Sequence, residues 1–217
     1  MLKQTTDTST KGHWPDMEKK VTFIAPYLDL MAYGVRILSA YLKKEGYPTQ
    51  IIFIPGILDQ TDSESMALLA DQIIERTVDS YFVGLSFFSC HLNAVKHLTK
   101  ALRQKIQVPI VWGGKHISIK PEDAVGYADI VSIGEAELAV KDLLDAMRHH
   151  EDYTDIHGFW FIEDSKVKKN PIAPIIKDLD QLPHPDYSLE TQYIWDGVSM
   201  KLMTAEHLYE YSKKING

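Results

Sequence analysis

Four short segments place glycine, serine or acidic residues beside aromatic and aliphatic ones, and each follows an apolar run. The segments are Pro26-Tyr-Leu-Asp-Leu-Met-Ala-Tyr-Gly34, Ser86-Phe-Phe-Ser-Cys-His91, Gly113-Gly-Lys-His116 and Gly134-Glu-Ala-Glu137. Small residues such as Gly84, Ser86, Gly113 and Gly114 leave space at strand ends, so a bulky, largely neutral ligand could lie between strands and helices. Each glycine taken alone is equally compatible with an ordinary turn.

Several common site types lack their sequence motifs. A dinucleotide site needs Gly-x-Gly-x-x-Gly and a P-loop needs Gly-Lys-Ser or Gly-Lys-Thr, and the sequence contains neither. A phospho-acceptor domain would have an aspartate at the end of the third strand, where this chain has Ser86-Phe-Phe88. Ser89, Cys90 and His91 are sequence neighbours, and no Gly-x-Ser-x-Gly nucleophile motif accompanies them.

Composition narrows the class of protein further. The 217 residues carry 23 Lys and Arg against 30 Asp and Glu, are 45% hydrophobic and include one cysteine. A mildly acidic chain without a basic run is a poor partner for nucleic acid. A single cysteine, Cys90, excludes an internal disulfide and a cysteine-ligated iron–sulfur cluster built from this chain alone. No apolar stretch reaches membrane-spanning length, and the polar start does not resemble a signal peptide, so we expect a cytoplasmic protein.

The segments are positioned by an alternation of apolar runs and amphipathic stretches. Residues 1–20 are polar and non-periodic, which predicts a flexible leader. Strands are predicted at residues 21–25, 50–54, 81–87, 108–112 and 129–133, and helices at 35–46, 63–74, 93–105 and 136–148, with a short helix starting at 121. Five strands alternating with helices predict a doubly wound, five-stranded parallel sheet of Rossmann-like or flavodoxin-like type within residues 21–150. All four segments then lie at the carboxyl ends of strands, where such folds bind ligands.

The pattern changes after residue 150. Gly158-Phe-Trp-Phe-Ile162 and residues 167–170 flank a polar turn, which predicts a hairpin. Pro171, Pro174, Pro183 and Pro185 then indicate an extended linker, and residues 202–214 could form one more amphipathic helix. Residues 151–217 are therefore predicted to be a hairpin and a proline-containing linker.

The order of several motifs resembles the cobalamin-binding domain at the N-terminus of cobalamin-dependent radical S-adenosylmethionine enzymes. The motifs are Val83-Gly-Leu-Ser86, Val111-Trp-Gly-Gly-Lys-His-Ile-Ser118, Pro121-Glu-Asp-Ala124, Tyr127-Ala-Asp129, Ile133-Gly-Glu-Ala-Glu137 and Ile176-Lys-Asp-Leu-Asp-Gln-Leu-Pro-His-Pro-Asp-Tyr187. The similarity covers about residues 21–189. The Gly-Gly-x-His, Ile-Gly-Glu and Leu-Pro-x-Pro-Asp-Tyr elements in this order are more specific than any one of them alone.

The resemblance implies where cobalamin would lie. The nucleotide tail would pass Ser86, Gly113 and Gly114, with Gly134, Glu135 and Glu137 near its sugar or the corrin amides. The corrin ring would meet the two loops that contain Tyr27, Leu28 and Met31, and Phe87, Phe88, Ser89 and His91. His91 and His116 would donate hydrogen bonds to corrin amides, although either could instead cap a helix.

The loop after the first predicted strand differs from the corresponding loop of methionine-synthase-like cobalamin proteins. Methionine-synthase-like proteins carry Asp-x-His-x-x-Gly there, with the histidine bound to cobalt, whereas this chain has Asp29-Leu-Met-Ala-Tyr-Gly34. A thioether is a weaker cobalt ligand than imidazole. The resemblance therefore implies base-off cobalamin without a histidine ligand, and Met31 would shield the lower face of the metal or bind it weakly. The alternative is that Met31 is a core residue at the start of a helix.

The resemblance also implies a larger enzyme. Its radical domain binds an iron–sulfur cluster and S-adenosylmethionine through Cys-x-x-x-Cys-x-x-Cys, which this chain lacks. We expect the chain to bind cobalamin but not to catalyse alone, as the N-terminal part of a longer methyltransferase or cyclase with the radical domain in cis. The alternatives are a free-standing cobalamin carrier or sensor, a degenerate domain with an empty pocket, and, more weakly, a flavin protein.

Overall fold

The computed structural model describes residues 19–27, 30–56, 62–164 and 166–215, and the side chains up to residue 211. Its strands are β1 Lys20–Ala25, β2 Thr49–Phe53, β3 Ser80–Ser86, β4 Ile110–Gly113, β5 Ile130–Ser132, β6 Phe159–Glu163, β7 Lys166–Lys169, β8 Gln192–Trp195 and β9 Met200–Leu202. Its α-helices are α1 Tyr33–Lys44, α2 Ser63–Glu75, α3 Leu92–Arg103, α4 Lys115–Ile119, α5 Glu137–His149 and α6 Ala205–Ile215. The predicted flexible leader lies mostly outside the described residues.

All nine strands form one sheet in the order β7-β6-β5-β4-β3-β1-β2-β8-β9. The central strands β2, β1, β3, β4 and β5 are parallel, which gives the order 2-1-3-4-5 of flavodoxin-like folds. Helices cover both faces of the sheet, so the predicted doubly wound α/β fold is confirmed. The first reversal of strand order lies between β1 and β3, where such folds bind ligands.

Each face of the sheet has its own apolar core. One core joins α2 and α3 to residues such as Ile24, Leu85 and Trp112. The other joins α1 and α5 to residues such as Phe23 and Val111. Because successive strand residues point to opposite faces, each of the five central strands β1 to β5 contributes to both cores. The sheet separates these two regions, which we call the α1/α5 face and the α2/α3 face.

The C-terminal third of the chain extends the sheet at both edges. The predicted hairpin is present as β6 and β7, and β6 pairs antiparallel with β5. At the opposite edge β8 pairs parallel with β2, and β9 pairs antiparallel with β8. The sequence predicted neither β8 nor β9, because Gln192–Trp195 is a four-residue run whose pairing with β2 depends on a distant part of the chain.

Two smaller differences concern residues 113–124. The sequence predicted one short helix from Pro121, whereas α4 spans Lys115–Ile119 and a 3₁₀ turn spans Pro121–Ala124. Five residues are too few for a helical period to be recognised in the sequence. Within the described residues, no helix is both long enough and apolar enough to cross a bilayer.

Candidate functional site

A cavity of about 260 Å³ opens at the carboxyl ends of β3, β4 and β5 and runs between the sheet and helices α1 and α5. Its lining is mainly apolar, with serine, glycine and two glutamates. It is lined by Phe23, Gly34, Val35, Leu38, Phe82, Gly84, Leu85, Ser86, Val111, Gly113, Gly114, Ser132, Gly134, Glu135, Ala136, Glu137 and Val140. The three residues predicted along the nucleotide tail and the three predicted near its sugar or the corrin amides are among them.

The cavity exists because one face of the sheet carries small residues near the strand ends. Gly84 and Ser86 of β3, Gly113 of β4 and Ser132 of β5 all line it. A Cβ atom on Gly113 would lie 3.4 Å from the Ser132 Cβ, and one on Gly84 would lie 3.2 Å from Phe23 Cδ1. Larger side chains at these positions would therefore occupy the cavity.

Gly114 permits a close approach between the turn after β4 and the end of β3. Its φ of +92° is in a region that L side chains rarely adopt. A Cβ atom there would lie 2.7 Å from the Phe87 nitrogen and 2.8 Å from Ser86 Oγ. Both the conformation and the space therefore require glycine at this position.

A second cavity of about 330 Å³ adjoins the first. It is lined by Tyr27, Met31, Ala32, Tyr33, Gly34, Ser86, Phe88, Gly114 and Lys115. The two cavities share Gly34, Ser86 and Gly114 and are therefore connected. We call the second the outer cavity and the first, which runs beneath α1 and α5, the deep branch. The Tyr27 hydroxyl lies 3.0 Å from Ser86 Oγ, close to the junction.

The outer cavity has an aromatic and aliphatic wall. Tyr27 packs edge-on against Phe88 with ring centroids 4.9 Å apart, and Lys115 Nζ lies 5.5 Å from the centre of the Phe88 ring. Met31 lines the same cavity, as the motif comparison implied. Leu28, predicted for this wall, and Asp29 lie outside the described residues.

Phe87 and His116 lie away from the two cavities. The Phe87 side chain is buried in the α2/α3 core and is stacked on the His116 ring with centroids 5.7 Å apart. His116 is also buried: Nδ1 lies 2.9 Å from Ser89 Oγ and Nε2 lies 3.1 Å from Asp123 Oδ2. His116 thus joins the loop after β3 to the 3₁₀ turn after α4.

His91 lies behind the aromatic wall. It is buried, and its ring centroid is 6.1 Å from that of Tyr27 and 6.3 Å from that of Phe88. Burial lowers the pKa of His91, which favours the neutral imidazole. A contact between either histidine and corrin amides stays a prediction. In the structure, both histidines pack against residues of the loop after β3.

The two glutamates at the start of α5 differ in their surroundings. Glu137 Oε2 accepts a hydrogen bond from the Ala136 nitrogen at 3.1 Å, and burial raises the pKa of Glu137. Glu135 Oε2 instead accepts a hydrogen bond from the Ile176 nitrogen at 2.9 Å. Glu137 is therefore an acidic group within a mainly apolar cavity, whereas Glu135 also holds the segment after β7.

Sequence analysis missed several lining residues. Gly34 was noted only as the end of a motif, Lys115 only as part of the glycine-containing segment, and Ser132 was assigned to a buried strand. Alternation along the strands could have identified Ser132, because it lies between the apolar residues Val131 and Ile133, which point to the opposite face.

A family model described as a B12 binding domain matches residues 19–144, more than half of the chain. The chain belongs to the B12-binding domain family. A curated relative, an uncharacterized methyltransferase of Pyrococcus horikoshii, is 35% identical over 94 residues, which are 41% of this chain and 20% of that protein. The anaerobic magnesium-protoporphyrin IX monomethyl ester cyclase of a Synechocystis species is 28% identical over 127 residues, which are 55% of this chain and 26% of that protein.

Solved structures share the fold of this B12-binding domain. The radical S-adenosylmethionine methyltransferase TsrM from Kitasatospora setae, with cobalamin and a [4Fe-4S] cluster bound, gives a TM-score of 0.59 at 15% identity, covering 78% of this chain and 32% of TsrM. The cobalamin-dependent S-adenosylmethionine radical enzyme OxsB with aqua-cobalamin bound gives 0.60 at 18% identity, covering 78% of this chain and 24% of OxsB. The chain thus spans about a fifth to a third of the length of these relatives.

Proposed function

We propose that the chain binds cobalamin in its base-off form, with the nucleotide tail in the cavity beneath α1 and α5 and the corrin ring over the outer cavity. The observation that carries this proposal is the deep branch lined by Gly84, Ser86, Gly113 and Ser132. A ligand with only a flat ring would need no such branch, whereas base-off cobalamin has a ring and a detached tail. The connected pair of cavities fits both parts.

The residues of the deep branch would hold the tail by shape and by a few polar contacts. Ser86 and Ser132 offer hydroxyl groups, and Gly84, Gly113 and Gly114 expose backbone atoms. Glu137 lines the same branch, and its carboxyl oxygens can accept a hydrogen bond from a hydroxyl group of the tail. Gly134 and Glu135 lie at the same end of the cavity.

The outer cavity would support the corrin ring by contact with apolar and aromatic side chains. Tyr27, Met31 and Phe88 line it, and residues 26–34 include no histidine. Met31 would then cover the lower face of the metal or bind it weakly, and the absence of a histidine from this loop supports a base-off form without a histidine ligand.

We extend the proposal to a larger enzyme that also uses S-adenosylmethionine and an iron–sulfur cluster, with methyl transfer as the reaction. The support is that relatives which the chain matches in part are described as methyltransferases or as cobalamin-dependent radical enzymes. Cobalamin supplies a cobalt-bound methyl group in such chemistry. The residues of this chain would bind and orient the cofactor. We also propose that the enzyme is cytoplasmic.

The test is retention of hydroxocobalamin by the purified chain. We expect a near-stoichiometric complex after gel filtration, with a base-off visible spectrum. In the cobalt(II) form, an electron paramagnetic resonance spectrum without nitrogen superhyperfine splitting would show that no imidazole lies below the metal. Loss of all corrin from a folded protein would refute the proposal.

A matched pair of variants locates the cofactor. Gly113→Leu places a large side chain in the deep branch, whereas Gly113→Ala adds one methyl group at an ordinary contact distance, 3.4 Å from the Ser132 Cβ. We expect the leucine variant to lose corrin and the alanine variant to retain it. Equal retention by both would place the tail elsewhere.

A further inference from the structure

Arg36 is the most heavily engaged buried cation that the structure describes. It lies in the first turns of α1 with no exposed surface. Its Nε donates to the backbone oxygens of Leu30 at 3.1 Å and Met31 at 2.9 Å, and its Nη2 donates to that of Leu30 at 2.7 Å. Its Nη1 donates to the Asp186 backbone oxygen at 2.7 Å and to Gln192 Oε1 at 2.8 Å. One side chain thus joins two distant parts of the chain.

The first part is the wall of the outer cavity. Met31 and Ala32 both line that cavity, and Ala32 has a left-handed backbone with a φ of 37°. An alanine in this conformation needs support from its surroundings. Arg36 supplies part of it, through its bonds to the two preceding carbonyl groups. The position of Met31 relative to the cavity therefore depends on Arg36.

The second part is the segment of residues 171–191, here called the exit segment, which follows the hairpin. The Arg36 guanidinium lies between the rings of Phe53 and Tyr187, at 4.6 and 4.4 Å from their centres. The Asp186 nitrogen donates to the Arg36 backbone oxygen at 3.0 Å. The Asp186 carboxylate accepts hydrogen bonds from Ser39 Oγ at 2.6 Å and Lys43 Nζ at 2.7 Å.

The exit segment also touches the deep branch. The Ile176 nitrogen donates to Glu135 Oε2, and the Ile172 side chain lies next to Gly134, where an added Cβ would come within 3.2 Å of Ile172 Cγ2. Glu135 and Gly134 both line that branch. The exit segment therefore contacts residues behind or beside both cavities.

We propose that Arg36 is a positioning residue that couples docking of the exit segment to the shape of the outer cavity. A buried guanidinium is costly unless its donors are satisfied. When the exit segment leaves, Arg36 loses the Asp186 backbone oxygen and the Tyr187 ring, whereas Gln192 of β8 stays in place. The guanidinium then turns toward solvent and releases the carbonyls of Leu30 and Met31. By reciprocity, a ligand that needs Met31 in place strengthens docking of the exit segment.

This inference rests on the proposed cobalamin function for its ligand, and the decisive variant lies outside both cavities. Tyr187 is partly exposed and lines neither cavity. We expect Tyr187→Ala to weaken hydroxocobalamin affinity about tenfold or more, measured by visible titration. Arg36→Lys keeps the charge but lacks the planar fork that reaches both partners, so we expect a similar loss.

The matched control is Val95→Ala, in α3 on the opposite face of the sheet. It removes buried apolar volume and lowers the denaturation midpoint, yet we expect it to leave corrin affinity within about twofold of the original protein. Loss of affinity in Val95→Ala equal to that in Tyr187→Ala would reduce Arg36 to a general stabilising role and overturn the proposal. So would unchanged affinity in Tyr187→Ala and Arg36→Lys.

A second measurement needs no cofactor. Hydrogen exchange of a peptide covering residues 30–42 reports on the backbone that Arg36 holds, including the Arg36 nitrogen bonded to the Ala32 oxygen. We expect faster exchange there in ligand-free Tyr187→Ala than in ligand-free Val95→Ala, and equal exchange would overturn the coupling. If the original protein binds no corrin, the proposed function fails, and the coupling is then decided by this measurement alone.

Discussion

The two faces of the central sheet differ most where β3, β4 and β5 end. On the α1/α5 face the residues near the strand ends are Gly84, Ser86, Gly113, Ser132 and Gly134, and all of them line a cavity. On the α2/α3 face at the same level the chain has Leu85, Phe87, Trp112, Val131 and Ile133, and all belong to one packed core. The same three strands thus border a cavity on one face and a close-packed core on the other.

This difference shows how a ligand site can be formed with little irregular structure. The strand backbone and its pairing continue through Gly84 and Gly113, and only side-chain volume is missing. Because side-chain volume is missing, this face lacks van der Waals contacts that a filled core would provide. The opposite face must therefore supply much of the stability of the carboxyl-end region. Trp112 and Phe87, packed edge-on at 5.2 Å, are the largest of its fully buried side chains.

The largest effect is expected on the packed face. Trp112→Ala removes a fully buried ring and its hydrogen bond from Nε1 to Thr99 Oγ1, which is 3.1 Å long. We expect a loss of about 3–5 kcal/mol in the free energy of unfolding, measured by urea denaturation. Folded Trp112→Ala protein should still bind hydroxocobalamin. A loss below about 1 kcal/mol would show that the α2/α3 face does not carry the stability assigned to it.

The cavity face should give the opposite result. Ser132→Leu adds apolar volume to the deep branch, so we expect hydroxocobalamin affinity to fall about 100-fold while the free energy of unfolding changes by less than about 1.5 kcal/mol. Visible titration and urea denaturation of the same preparation provide both numbers. Ser132→Ala, which adds no volume, is the control and should retain most of the affinity. Unchanged affinity in Ser132→Leu would mean that the tail does not use this branch.

The sequence predicted the central sheet and the small residues at its strand ends, but not the long-range contacts around them. Gly113 and Gly114 stand out because they are two glycines that come after an apolar run. Ser86 lies at the end of another strand and Gly134 follows a third, so their common edge could be inferred from the order of strands alone. Neither the burial of Arg36 nor the strand β8 could be inferred from the sequence. Arg36 lies in an amphipathic helix where arginine is usually exposed, and its partners are 150 or more residues away for Asp186 and Gln192. Such burial depends on long-range packing that has no local pattern.

A smaller effect is expected where the packed face supports the loop after β3. His116→Ala removes the bridge between Ser89 and Asp123 and the ring stacked on Phe87. We expect a loss of about 1–3 kcal/mol in the free energy of unfolding. We also expect a corrin affinity within about threefold of the original, because His116 lines neither cavity. A loss of affinity as large as that of Ser132→Leu would instead favour the predicted direct contact with corrin amides.

The smallest effect concerns pH and the exit segment, which packs on the α1 side. Burial raises the pKa of Asp186, but hydrogen bonds from Lys43, Ser188 and Ser39 outweigh it, and the net pKa lies below the ordinary value of 3.8. A carboxylate whose pKa is lower in the folded than in the unfolded state stabilises the fold above the unfolded pKa, and this stabilisation is lost as pH falls through the folded pKa. Asp186→Asn should therefore cost about 1 kcal/mol at pH 7 and less at pH 3.

Urea denaturation of both proteins at the two pH values measures this difference. Glu135 gives a comparison on the same exit segment, because its bond to the Ile176 nitrogen is exposed and should contribute less than the buried Asp186 carboxylate. If the difference between Asp186→Asn and the original protein were equal at pH 7 and pH 3, the ionised carboxylate would not hold the exit segment. The exit segment would then be held by Arg36, through the Asp186 backbone oxygen and the Tyr187 ring, and by the bond between Glu135 and the Ile176 nitrogen. Its docking would not depend on the ionisation of Asp186.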